Sequence, residues 1–418
     1  MRKFLLLVLL AALVVVPVMA QEEGEPPRTG LRPDAPPYAI RGPHPVGTMD
    51  MVIDEDGERP LPVTVWYPAL NSENAEESVT YQPLIKWLPW PEGDYGVFGR
   101  ALRNAEPDDS GAPYPLIVFS HGYSAFPASY AVLLEHLASH GFVVLAPDHS
   151  ERYYFDVDSW ADSWQDVPKV MIERPHDISQ VLDYATTWTS DEGAFEGIID
   201  MEHVAVTGQS IGGYTTLATA GARYDLETYN AVCARSSDDP VFWGLLCDVI
   251  VPHETEMAQL AGLDPMPDGL WPSMSDPRVD AIVPMAGDAY LFGQAGLAEI
   301  TIPMLALGGT LDGSTPYDWG ARLAYDHVSS AQKALVSFEG SDHFIFMSRC
   351  DDNPWLPEMG SFFMCSDPVW DMDRAHDLIN HFTTAFLLAE LYGDEEARAA
   401  LAPDAVAFPG IGYEAVGY

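Results

Sequence analysis

His203-Val204-Ala205-Val206-Thr207-Gly208-Gln209-Ser210-Ile211-Gly212-Gly213 sets a serine inside G-x-S-x-G at the end of a short apolar run. β-Branched residues come before the first glycine, and Tyr214 to Ala220 continues in good helix formers, so the stretch reads as strand, sharp turn, helix. A side chain at Gly208 or Gly212 would crowd the strained turn that lifts a serine hydroxyl clear of a sheet edge. Ser210 is therefore a candidate nucleophile.

Three further pieces follow the order of an α/β-hydrolase, nucleophile then acid then histidine. The apolar run Pro303 to Gly308 ends in a loop carrying Asp312, and the run Ala334 to Phe338 ends in Glu339-Gly340-Ser341-Asp342-His343. Upstream, Pro115 to Ser120 runs into His121-Gly122-Tyr123. In an open α/β sheet the ligand crevice lies at the carboxyl ends of the strands, so all four loops converge on one edge. Strands 115–120, 142–147, 203–207, 280–285, 303–308 and 334–338 alternate with helices at 129–139, 174–187 and 211–221, and a closing helix covers 374–391. This alternation predicts an α/β-hydrolase fold with a mostly parallel central sheet, helices on both faces, and insertions at 69–113, 222–279 and 349–370 near the active site. Two earlier strands between Val46 and Pro68 are joined at Asp54-Glu55-Asp56-Gly57, read as a hairpin turn and not as a calcium loop.

Pro115 through His121-Gly122 to Leu137-Ala138-Ser139-His140-Gly141-Phe142-Val143-Val144 resembles the platelet-activating-factor acetylhydrolase and dienelactone hydrolase-like group, as does Leu61-Pro62-Val63-Thr64-Val65-Trp66-Tyr67-Pro68-Ala69. The resemblance spans Val46 to Tyr392. It implies Ser210 as nucleophile, His343 as base, and the backbone N–H groups of Tyr123 and Ile211 as oxyanion hole. For the acid it implies Asp312 by the bacterial arrangement, or Asp288 by the animal one, which uses the strand before. Dienelactone hydrolase proper carries a cysteine nucleophile where this chain has serine.

Met1-Arg2-Lys3, an apolar run from Phe4 and Val18-Met19-Ala20 read as a signal peptide over 1–20, pointing to a secreted or periplasmic protein without a stable membrane anchor. An acidic, proline-rich leader over 21–45 precedes the catalytic domain at 46–392, and 393–418 reads as a tail. With 20 Lys and Arg against 63 Asp and Glu, the formal charge is −43, which repels nucleic acid and anionic membranes. The four cysteines of an exported chain allow three pairings. Local closure, Cys233 with Cys247 and Cys350 with Cys365, is expected, since each would staple one insertion, and no C-x-x-C spacing suggests a metal.

The residue set points to acyl transfer without cofactor or metal: a serine esterase acting on small-molecule, lipid or polymer esters through an acyl-enzyme. An amidase or peptidase of the same fold, or an inactive binding module, are the alternatives. His149 after strand 142–147, with Trp243 and Trp271 in the 222–279 insertion, are the expected substrate-pocket residues.

Overall fold

The computed structural model describes residues 29–57, 59–83, 95–149, 164, 166–190, 192–235 and 246–418. The segment read as a signal peptide and the first part of the expected leader lie outside them. β1 (Val46–Ile53) and β2 (Leu61–Pro68) form an antiparallel hairpin. Its turn closes with the Gly57 N–H on the Asp54 carbonyl at 2.9 Å, Asp54 itself sitting at φ 52°. β3 (Val79–Tyr81) and β4 (Val97–Gly99) make a separate pair, and β5 (Leu102–Arg103) edges β1.

The remaining strands are β6 (Tyr114–Ser120), β7 (Val143–Pro147), β8 (Ile199–Gln209), β9 (Ala281–Met285), β10 (Met304–Gly309), β11 (Lys333–Phe338) and β12 (Ile411–Val416). One sheet runs in the order β12-β11-β10-β9-β8-β6-β7-β2-β1-β5, parallel from β7 through β11. Its central strands are continuous apolar runs because both faces are covered. On β6, Leu116 and Val118 pack into the core beneath helices Val167–Ser190 and Ile211–Thr219, while Ile117 and Phe119 face the core beneath helices Ala131–Ser139 and Met372–Leu391. β6 lies between β7 and β8, so the chain leaves in opposite directions from the sheet's centre, the arrangement in which open α/β sheets place a ligand crevice at the carboxyl ends.

Two boundary expectations are corrected. Residues 393–418 are not a tail: they hold a helix, Glu395–Ala400, and β12, which pairs antiparallel with β11 from Lys333↔Val416 to Phe338↔Ile411. The outer edge of β11 would otherwise present a row of unpaired backbone groups. The last part of the leader is likewise built in, since the N–H groups of Leu31 and Arg32 donate to the Asp377 carboxylate at 2.8 and 2.9 Å. Both insertions carry the locally closed disulfides, Cys233–Cys247 and Cys350–Cys365.

Candidate active site

Ser210 terminates β8 at φ 58°, ψ −124°, a conformation strained for any residue but glycine. The turn holds because its N–H donates to the Met285 carbonyl at 2.9 Å and the residues two positions away on either side, Gly208 and Gly212, have no Cβ. A Cβ on Gly212 would lie 1.9 Å from the Ser120 carbonyl oxygen, and one on Gly208 would lie 2.5 Å from that of Gly212. The helix beginning at Ile211 leaves its first N–H groups without intrahelical partners, aimed at the space beside Ser210. The loop after β6 comes equally close: a Cβ on Gly122 would stand 3.6 Å from that of Ser210. Tyr123 follows it, its ring stacked on Trp164 at 5.2 Å.

His343 opens a short 3-10 turn, His343–Phe346, capped by Asp342, which accepts from the His343 N–H at 2.7 Å. Its Nδ1 meets Asp312 Oδ2 at 2.7 Å. The other oxygen of Asp312 accepts from the N–H groups of Ser314 and Thr315 at 2.9 and 2.7 Å, so the carboxylate is held on both sides. Asp288, in the loop after β9, the strand before β10, points to Thr315 instead, accepting from its hydroxyl at 3.0 Å. Burial, joined by the nearby Asp312 charge, pushes Asp288 up to about 7, against the pull of His343 and Thr315. For His343 burial lowers the pKa, but Asp312, as charge and as acceptor, followed by Asp288 and Asp342, outweighs it and raises the imidazole above its ordinary value. Among the described residues no hydrogen bond joins Ser210 to His343; Nε2 of the ring is met by the Gln209 amide at 3.0 Å.

Beneath the Gly122 loop lies a buried polar network that the sequence did not reveal. Arg174, wholly buried in the helix Val167–Ser190, donates to the carbonyl of His121 and, at 3.4 Å, to that of Gly122. His121 Nε2 accepts from the His149 N–H at 3.0 Å, which leaves its proton on Nδ1, bonded to the Gly122 carbonyl at 2.7 Å. Burial, with Arg174 and His149 adding to it, holds the His121 pKa well below its ordinary value, so the ring stays neutral. His149 in turn links Ser120 Oγ at 2.9 Å to Asp177 at 2.7 Å. Burial would raise Asp177, but hydrogen bonds from Arg59 and His149 prevail and lower it. The Glu173-Arg174-Pro175-His176-Asp177 run offers a charged cluster inside a helix as its only sequence signal.

The expected pocket residues are placed differently. His149 is locked in that network and 1% exposed, so it supports the loop from below and does not face an open crevice. Trp271 is 2% exposed, edge-on to Tyr224 at 5.1 Å and part of the core outside the nucleophile helix, because a large aromatic is most stable buried. Trp243 lies outside the described residues. The exposed apolar surface near His343 comes instead from other loops: Leu311, Phe362, Phe363 and Val369 are 68, 60, 54 and 64% exposed. The Phe344 ring connects Phe363 to the site, 5.2 Å from His343 and 5.4 Å from Phe363.

Sheet order, elbow and loop placement together define an α/β-hydrolase fold. Residues 95–241, which hold the β6 loop and Ser210, match the Chlorophyllase family model. The platelet-activating factor acetylhydrolase of Cavia porcellus is 31% identical over 158 residues, 30% of this chain and 36% of that protein, and the one of Canis lupus familiaris is 28% identical over 222 residues, 42% and 50%. A cutinase of Thermobifida alba is 36% identical over 114 residues, 27% of this chain and 32% of its own length. The matches thus span about a third to a half of these relatives, which are named as acetylhydrolases and a cutinase. A ferulic acid esterase from Streptomyces cinnamoneus shares the fold, with a TM-score of 0.55 at 20% identity over 88% of this chain and 96% of that one.

Proposed function

We propose that this chain is an exported serine hydrolase that cleaves carboxylic esters through an acyl-enzyme, with Ser210 as nucleophile, His343 as general base and acid, and Asp312 as the residue orienting the imidazole. The observation that carries the reading is the strained Ser210 turn set beside the Gly122 loop and next to the His343–Asp312 pair. A serine hydroxyl is too weak an acid to attack unaided. In this scheme His343 Nε2 takes its proton as the oxygen adds to the ester carbonyl, and returns it to the departing alkoxide. Asp312 keeps the ring proton on Nδ1 and balances the charge of the imidazolium. The N–H groups of Tyr123 and Ile211 receive the oxyanion, and losing one such donor typically costs about 3–4 kcal/mol. Water then repeats the sequence on the acyl-enzyme.

Neutral, apolar esters suit the site best, because the exposed aromatics beside His343 offer apolar contact while a chain of charge −43 repels anionic surfaces. The two disulfides and the amino-terminal apolar segment support export, and among the described residues no helix is long and apolar enough to cross a membrane. The test is fluorophosphonate labelling together with turnover of matched p-nitrophenyl esters and p-nitroanilides. Wild type should be labelled and prefer the esters, and Ser210→Ala and His343→Ala should each lose roughly 10³-fold or more while remaining folded. Equal turnover of anilides would favour an amidase. An unlabelled, inactive wild type would leave only a binding module.

A further inference from the structure

Gln209, the residue between Gly208 and the nucleophile, is 2% exposed and makes contacts whose donor and acceptor roles leave no choice. Its Nε2 lies 3.3 Å from the His343 carbonyl oxygen, which can only accept, so the amide nitrogen must point there and the amide oxygen the other way. That oxygen accepts from the Tyr130 hydroxyl at 2.8 Å, and the same hydroxyl accepts from the Gly122 N–H at 3.1 Å. The amide nitrogen also sits 3.0 Å from His343 Nε2. An N–H donor at that distance requires a lone pair on Nε2, which puts the ring proton on Nδ1, facing Asp312. Each link has one donor and one acceptor. The bonds run in a single direction from Gly122 through Tyr130, Gln209 and His343 to Asp312.

We propose that Gln209 is a positioning residue: its amide occupies the Nε2 lone pair of His343 in the resting enzyme, holds the base neutral in the productive tautomer, and through Tyr130 ties it to the backbone of the oxyanion loop. The proposal rests on the reading of His343 as the general base. A hydrogen bond accepted by the neutral ring favours that form, and an imidazolium would set its Nε2–H against the amide N–H. The charged groups facing His343 are Asp312, Asp288 and Asp342, all of which favour the cation, so Gln209 supplies an opposing influence from β8. During turnover Ser210 takes the place of the amide at Nε2, and the ring exchanges one donor for its neighbour in sequence.

The His343 pKa is therefore to be read directly by NMR titration of the ring in a Ser210→Ala background, where no catalysis is needed, for Gln209→Met, Gln209→Glu and Tyr130→Phe. Gln209→Met keeps the length and removes the donor, so the pKa should rise by about half a unit or more. Gln209→Glu, whose carboxylate accepts from the imidazolium, should raise it further. In the active background the acid limb of kcat/KM should shift by the same amount. Tyr130→Phe should lower kcat more than it raises KM, as the amide and the Gly122 N–H lose their common partner. Titration curves superimposable on wild type for folded Gln209→Met and Gln209→Glu would overturn the proposal, and if the first does not fold, the second with Tyr130→Phe decides it alone. Failure of the fluorophosphonate to label wild type would instead remove the esterase reading, an outcome the NMR titration distinguishes because it does not depend on activity.

Discussion

Asp288 and Asp312 follow adjacent strands and both bear on His343, yet only one of them touches it. Asp312 reaches Nδ1 at 2.7 Å, whereas Asp288 is satisfied by Thr315 and pushed up to about 7 by burial. Thr315 binds both, giving its N–H to Asp312 and its hydroxyl to Asp288, so the two carboxyl groups share a partner but not a role. Asp312→Asn should then lower kcat by an amount near 10⁴-fold, the loss expected when the tautomer of a triad histidine is no longer controlled. Asp288→Asn, which places a neutral group where a carboxyl about half protonated at pH 7 sits without touching the imidazole, should change kcat by less than about tenfold at pH 7. Steady-state kinetics of the two variants decide the matter, and a larger loss in Asp288→Asn would move the acid to the earlier strand.

At the scale of elements, the two stapled insertions do different things. The segment closed by Cys233–Cys247 leads to Trp271, which packs into the core with Tyr224, and Tyr224 stacks on Phe292 at 5.7 Å. Trp271 is thus a packing residue. The segment closed by Cys350–Cys365 carries the short turn Phe362–Met364, where two phenylalanines stay exposed next to Phe344 and the base. Replacing Phe362 and Phe363 with serine should weaken long-chain p-nitrophenyl esters relative to acetate by about tenfold, since each methylene-scale contact contributes about 1–3 kcal/mol of discrimination. Trp271→Ala should lower stability by about 3–5 kcal/mol and leave the chain-length ranking alone. A changed ranking in Trp271→Ala with an unchanged melting temperature would return specificity to the other insertion.

For the whole molecule, the governing feature is a set of histidines kept neutral by burial. His376 and His381, on the closing helix, are each pushed down to about 4, chiefly by burial and then by Arg349 and Arg374 respectively. Burial, with nearby charges, also holds His121 and His136 well below their ordinary value. Between pH 4 and 6.5 the unfolded chain binds these protons and the folded one does not, so stability is present above the unfolded pKa and is lost as pH falls. Each such group contributes a slope of about 1.4 kcal/mol per pH unit. Asp288 and His343 have raised values and act in the opposite sense, losing their contribution as pH rises, as do the raised carboxyls Glu135, Glu254, Asp280 and Asp377. The histidine share is isolated by comparison: urea midpoints measured from pH 8 to pH 4 in about 1 M salt, which screens the acidic surface, should fall less steeply below pH 6.5 in folded His376→Gln/His381→Gln than in wild type. Equal slopes in the two proteins would contradict this account.

How much of this was legible beforehand follows from the range of the interactions. Apolar runs that fill a doubly covered sheet, the glycines flanking Ser210, the hairpin at Asp54–Gly57 and the local closure of the cysteines depend on neighbours a few residues away, and such patterns are written along the chain. That Ser210, Asp312 and His343 would gather at one sheet edge was readable too, since each follows its own strand and a parallel sheet brings those ends together. Partner choice is different in kind. Whether His343 takes Asp312 or Asp288, whether Gln209 reaches a ring 134 positions away, and whether Arg174 turns inward to the Gly122 loop depend on angstrom-scale distances between elements. β12 escaped notice because its burial alternates weakly at an edge, and only the unpaired side of β11 gives it a place. Trp271 and His149 show the same limit: hydrophobicity and a position after a strand say that a side chain will find company, but only the packed fold decides whether that company is the substrate or the core.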